Sequence, residues 1–165
     1  MAIFEGRVWC FGDEINTDVM NPGFAMTLPE DQQLRYVFSA NRPEWHSQVR
    51  QGDILVGGRD FGVGSSRPAA RLLRRCGIVC LLADSINGLF LRNCVNYGLP
   101  ALRAAGLRDL FEEGDVARVD TLTGEVTNTR TGATTQAPPL PPKLQAILDA
   151  GGIFPLLRGQ GLLAE

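Results

Sequence analysis

Two basic side chains are almost missing from this chain: Lys143 is its one lysine and His46 its one histidine. His46 sits in "RPEWHSQV", where it reads as a surface or partly packed residue. A Ser-His-Asp triad therefore has no ready base here, and a zinc site has too few imidazoles. Cysteine is scarce too: Cys10, Cys76, Cys80 and Cys94 form no CxxC pair, so nothing resembles an iron–sulfur cradle and the thiols read as buried and reduced. Sixteen basic residues stand against eighteen acidic ones, a net charge of −2. Such a balance lacks the positive footprint of a nucleic-acid binder. No run approaches the roughly 20 apolar residues of a membrane span. The opening "MAIFEGRVWCFG" has neither the basic start nor the apolar core of a secretory signal. These absences predict a cytoplasmic protein with no membrane or nucleic-acid partner and no metal of its own.

What is present reads as one α/β domain over residues 1–165. A chain of about this length buries roughly 70% of its unfolded surface, so it needs no disulfides. "GRVWCFG" (6–12) predicts a strand, "PEDQQLRYVFSA" a helix with Leu34, Val37 and Phe38 on one face, and "DILVGG" a buried strand. "PAARLLRRC" predicts a helix stopped by Gly77, "IVCLLA" a second buried strand, and "SINGLFLRNCVNYG" a second helix. Such alternation implies parallel strands flanked by helices. Residues 116–136, rich in threonine, predict a hairpin or meander at the edge. A stiff proline-rich connector at 137–142 leads to a helix in "KLQAILDAGG" with Leu144, Ile147 and Leu148 inward.

The chemistry concentrates in "GRDFGVGSSRP", residues 58–68, between the strand "DILVGG" and the next helix. Gly62 and Gly64 let a ligand approach the main chain, and Pro68 suits a first helical position. Free N–H groups near Ser65 to Arg67, the helix dipole and the Arg67 guanidinium converge there as an anion site. A phosphate-binding P-loop would need a lysine after the glycines, and a nucleophile elbow would need glycine where Pro68 stands. A dinucleotide fingerprint fares better, with Gly62, Gly64 and, about 20 residues on, Asp84. Arg67, however, occupies its third glycine position. A plain strand-to-helix turn, with glycines serving geometry alone, is the competing reading.

A wider pattern covers nearly the whole chain. "GDEINTDVMNP", "GDILVGGRDFGVGSSRP" and "ADSINGLFLRNCVNYGLPAL", in this order and spacing, resemble the small-subunit family of 3-isopropylmalate dehydratases, the swivelling domain of the aconitase superfamily. "LQAILDAGGIFPLL" is similar to the end of those subunits. The resemblance implies a swivelling β/β/α fold and a hydro-lyase that removes water from a small hydroxy-dicarboxylate and returns it to the neighbouring position. It implies a separate large subunit carrying a [4Fe-4S] cluster, and it leaves room for a homo-oligomer of the isolated chain. By that resemblance Ser65 is the base, Ser66 and Arg67 hold carboxylate oxygens, and Thr17 and Asp18 match the family's Thr-Asp pair at the same site. From local sequence alone, a turn or helix cap at 17–18 is an equal reading.

In one respect the sequence departs from the family, which continues S-S-R-E-H-A where this chain has Pro68 and Ala69. Substrate identity is therefore open between isopropylmalate, homoaconitase-type and dimethylmalate-type acids. Loop 20–36, with Phe24, Met26 and Leu28, is the expected specificity element, unless these side chains pack in the core. Asn87 and Asn93 read as helix-terminal or structural, and Arg71, Arg74 and Arg75 as a solvated helix face or subunit contact. A non-catalytic dinucleotide-binding or regulatory module is the alternative of another class.

Overall fold

A computed structural model describes residues 3–64 and 68–164. Along the chain run β1 (Ile3–Cys10), α1 (Thr17–Met20), α2 (Glu30–Gln33), α3 (Trp45–Gln48), β2 (Ile54–Gly57), α4 (Ala69–Arg75), β3 (Cys80–Ala83), α5 (Gly88–Asn96), β4 (Ala101–Arg103), β5 (Val116–Asp120), β6 (Glu125–Asn128), β7 (Thr134–Gln136), α6 (Pro142–Asp149) and α7 (Ile153–Gly159). The strands make one curled sheet in the order β4-β3-β2-β1-β5-β6-β7. The first four are parallel, and β5 to β7 continue from β1 as an antiparallel meander. This is the mixed α/β architecture expected, with the 116–136 segment as the meander.

Why "DILVGG" and "IVCLLA" are apolar at every position follows from the register. Val8, Ile54 and Cys80 align across the sheet, and so do Trp9, Leu55 and Leu81. Because strand side chains alternate, the first row enters one core with Val56, Leu82, Leu102, Val119 and Val126. The second enters another core with Leu72, Leu73, Phe90 and Cys94 of α4 and α5. Both sheet faces are buried, which requires the near-continuous apolar runs that mark parallel strands. Each fully buried Leu, Ile or Phe contributes about 1.5–3 kcal/mol.

Helix boundaries follow their local chemistry. Asn87 caps α5, its Oδ1 accepting from the N–H groups of Leu89 (3.0 Å) and Phe90 (3.4 Å). Gly77 ends α4 in a left-handed conformation (φ +106°) where a Cβ would lie 2.8 Å from Gln51 Cα. The helix expected over 29–40 is instead broken: α2 gives way to a 3-10 turn at Leu34–Tyr36, and Phe38 adopts φ +58°. That turn drops Val37 and Phe38 into the core, with Phe38 edge-on to Trp45 at 5.0 Å and 4.3 Å from Phe11. Aromatic packing outweighs the local helical pattern there. Toward the end, α6 buries Leu148 and half-buries Leu144 and Ile147, as its spacing predicts.

Candidate functional site

The C-terminal ends of the parallel strands do not splay apart. Beyond β1, β2 and β3 the three loops keep running side by side, laced by main-chain bonds. Gly58 N donates to Gly12 O (3.0 Å), Glu14 N to Arg59 O (2.7 Å), Gly62 N to Ile15 O (2.7 Å) and Thr17 N to Val63 O (2.9 Å). On the other side Phe61 N donates to Ser85 O (3.1 Å) and Asn87 N to Phe61 O (2.9 Å). Asn16 and Val63 form a parallel bridge, as do Phe61 and Ile86. The motif glycines are thus held between "INTD" and "DSIN", the other two segments singled out in the sequence.

Each glycine has a steric reason. A Cβ on Gly62 (φ +85°) would lie 2.2 Å from the Phe90 ring, and one on Gly64 (φ +116°) would lie 3.0 Å from Thr17 Oγ1. Thr17 is 1% exposed, and its hydroxyl has no hydrogen-bond partner among the described residues. A buried hydroxyl without a partner is costly, about 1–3 kcal/mol, and calls for an explanation. The cap at this turn is Asn16, whose Oδ1 accepts from Val19 N (2.9 Å), so capping does not account for Thr17. Asp18 follows at an exposed position of α1. Ser65, Ser66 and Arg67 lie outside the described residues; Gly64, beside Thr17, is the residue that leads into them.

Pro68 stands at the N-cap of α4, one residue earlier than expected, because its ψ of 40° is not yet helical. α4 has seven residues, and a helix this short supplies little dipole by itself. Phe24 and Met26 are 63% and 44% exposed, while Leu28 is half-buried. The loop is fixed by buried Met20 and Ala25, and the Phe24 ring meets Tyr36 edge-on at 5.0 Å. The side chains of Phe24 and Met26 therefore face outward rather than filling the core.

Several charged residues are engaged rather than free. Arg71 and Arg75 pair with Glu30, and Arg75 also with Asp31. Arg74 donates to Tyr97 O (2.9 Å) and Gly151 O (2.6 Å). These arginines tie α2 and the C-terminal region to α4, and the Arg71 and Arg75 side chains stay 47% and 40% exposed, so the face is both solvated and ion-paired. Asp84, needed by the dinucleotide reading, accepts from Arg108 N (2.7 Å). Cys10, Cys80 and Cys94 are buried, and burial pushes Cys76 and Cys80 up to about 12. Thiols so placed do not fit an iron–sulfur cluster. Among the described residues, no group of three or more His, Cys, Asp or Glu side chains gathers to hold a metal ion. Among those residues, too, no helix is long and apolar enough to cross a membrane.

Sequence reasoning passed over Asp13, Arg59 and Ser85. Asp13 accepts from Arg59 N (2.7 Å) and pairs with its guanidinium (3.1 Å), and Ser85 Oγ accepts from Asp60 N (2.8 Å). The one signal for Asp13 is its place between Gly12 and the Thr-Asp pair.

Residues 14–106, which contain the Thr-Asp pair and the loops after β2 and β3, match the aconitase C-terminal domain family. A 3-isopropylmalate dehydratase small subunit of Methanopyrus kandleri is 39% identical over 161 residues, 96% of this chain and 95% of that one. This chain belongs to the small-subunit family of 3-isopropylmalate dehydratases, within the aconitase superfamily. A methanogen homoaconitase small subunit of Methanothermobacter thermautotrophicus is also 39% identical, over 92% of this chain and 89% of that one. The crystal structure of 3-isopropylmalate dehydratase from Methanocaldococcus jannaschii superposes with a TM-score of 0.89 at 30% identity, covering 97% of this chain and 96% of that one. In this dehydratase-family chain the Thr-Asp segment, residues 58–64 ahead of the serine pair and the Asn-cap segment lie together at one end of the sheet.

Proposed function

We propose that this chain is the small subunit of a heteromeric hydro-lyase that interconverts 2- and 3-isopropylmalate, and that the site lies where Gly64 passes Thr17. The observation that carries the reading is the buried Thr17 hydroxyl, facing Gly64 immediately before Ser65 and lacking a partner among the described residues.

In this reading Ser65 removes the proton beside one substrate carboxylate. The C–H electron pair becomes the new double bond as hydroxide leaves the neighbouring carbon, and re-addition reverses the steps at the other carbon. A serine hydroxyl is a poor base near neutral pH, so its alkoxide needs positive potential, which Arg67 supplies. Ser66 and Arg67 hold carboxylate oxygens, and Thr17 and Asp18 close the site from α1. The [4Fe-4S] cluster implied by the family belongs to the large subunit. That subunit's name-giving complement, a small subunit, is what the relatives of this chain are called.

The homoaconitase-type alternative rests on a relative of equal identity. Exposed Phe24 and Met26, adjoining α1, favour an apolar substituent over a further carboxylate. The deciding experiment mixes this chain anaerobically with its large subunit and assays 2- and 3-isopropylmalate beside homocitrate. Turnover of isopropylmalate by the mixture and by neither chain alone is expected. Appreciable turnover by this chain alone defeats the two-subunit reading, and preference for homocitrate reassigns the substrate.

A further inference from the structure

The loop ahead of the serine pair is held by Asp13, a side chain of the "GDEINTDVMNP" stretch to which the proposed function gives no role. Asp13, just after β1, reaches across to the turn after β2: its Oδ1 accepts from Arg59 N (2.7 Å) and its Oδ2 from Arg59 Nη2 (3.1 Å). Gly58 makes this possible. A Cβ there would lie 2.0 Å from Asp13 Oδ1. Gly58 does not have the positive φ that favours glycine, so its backbone conformation does not demand one. What the missing side chain admits is the Asp13 carboxylate.

Stability alone is a weak reason for this arrangement. Arg59 and Asp13 are 75% and 46% exposed at their side chains, and ion pairs so exposed contribute little to folding. Position is a better reason. The residue after Arg59 is Asp60, held at φ +53°, a conformation uncommon outside glycine, with its N–H on Ser85 Oγ. Glu14, on the opposing loop, is held at φ +54° with its N–H on Arg59 O. Two left-handed non-glycine residues thus flank one carboxylate clamp, whose Arg59 lies six residues upstream of Ser65. Such backbone strain persists where surrounding bonds over-determine it.

We infer that Asp13 is a positioning residue. By fixing Gly58 and Arg59 against the loop that carries Thr17, it holds the two strand-end loops in register as far as Gly64, and so acts on turnover rather than on the affinity for substrate. This inference rests on the assignment of Ser65 above. Misplacement by about 1 Å away from the reacting atoms costs on the order of 10²-fold in rate.

The test uses the reconstituted two-subunit enzyme. Asp13→Ala should lower kcat by about 10–100-fold while KM and the melting temperature change little. Asp13→Asn, which keeps an oxygen for Arg59 N, should recover part of the loss. Gly58→Ala should displace the carboxylate and match Asp13→Ala, and the double variant should be no worse than either single one. Hydrogen exchange at the Arg59 amide should quicken in Asp13→Ala. Wild-type kcat in Asp13→Ala, additive losses in the double variant, or a parallel fall of kcat, affinity and melting temperature would each overturn the inference. The two assignments fail differently. If the wild-type complex is inactive on isopropylmalate, the functional reading falls. If it is active and the Asp13 variants are as well, only the positioning role does.

Discussion

Gly62 and Phe90 share a space that holds only one of them with a side chain: a Cβ on Gly62 would sit 2.2 Å from the aromatic ring, at a φ of +85°. The ring is buried and tilts against Phe61 at 5.9 Å, so it has nowhere to retreat. This locks the motif loop to α5 and gives the glycine a packing role whatever ligand the loop meets.

Gly62→Ala should therefore cost about 2–5 kcal/mol, the sum of overpacking and a left-handed conformation for an L-residue. Gly132→Ala is the control, because it has φ +75° with nothing within 4 Å of its added Cβ. It should cost about 1–2 kcal/mol, the conformational part alone. Urea denaturation of both variants measures the difference. Equal losses would mean that Phe90 yields more easily than its burial indicates.

The contrast between these glycines marks how far the sequence could be read. The strands at 54–57 and 80–83 were legible because burial on both faces leaves an unbroken apolar run. Asn87 as a helix cap and Gly77 as a stop are local chemistry, visible in a window of a few residues. The helix expected at 29–40 failed because Phe38 turns left-handed to reach Phe11 and Trp45, partners that lie outside any local window. Likewise Gly58 looks like one more loop glycine until Asp13, on another loop, is seen filling its space. The ion pairs of Arg71 and Arg75 were not legible because Glu30, their partner, is some forty residues away. Thr17 was legible as part of a family motif, whereas its hydroxyl's lack of a partner among the described residues was not.

Asp53 should make stability depend on acid pH. Burial alone would raise its carboxyl pKa, but hydrogen bonds from Arg7, Trp9 Nε1 (2.7 Å) and Arg50 N (2.9 Å) more than offset this and hold it below the usual range. A lowered native pKa gives stability that is fully present above the unfolded value of about 3.9 and is lost as pH falls through the native one. Asp53→Asn should thus be less stable than wild type near pH 7, with the gap closing below about pH 4. Urea midpoints across pH, followed by tryptophan fluorescence, report it. A gap that stays constant with pH would assign the effect to packing.

Ser65→Ala in the reconstituted enzyme should lower kcat by roughly 10²–10⁴-fold, the scale for a positioned proton-transfer group. Assembly with the large subunit should be unaffected. Ser66→Ala should be milder and act partly on KM, because the proposed function makes it a carboxylate contact rather than the base. Assembly is read by co-elution of the two chains. Near-normal turnover by Ser65→Ala, with co-elution intact, would show that another group removes the proton.

Arg67 gives the sharpest separation between carboxylate binding and the dinucleotide alternative. A guanidinium offers two parallel N–H donors to a carboxylate, whereas an ammonium offers the charge without the fork. Arg67→Lys should therefore raise the barrier in kcat/KM by about 1.5–3 kcal/mol, roughly 10–150-fold, although the net charge is unchanged. The dinucleotide reading forecasts the reverse at this position, because a third glycine would let the loop approach a pyrophosphate more closely. Two features already stand against it: Asp84 is engaged by Arg108 N, and Gly62 and Gly64 are accounted for by Phe90 and Thr17. Titration of wild type and Arg67→Gly with a nicotinamide dinucleotide should detect no binding in either. Binding that tightens in Arg67→Gly, together with undiminished dehydration of isopropylmalate by Arg67→Lys, would move the loop's ligand from a carboxylate to a pyrophosphate.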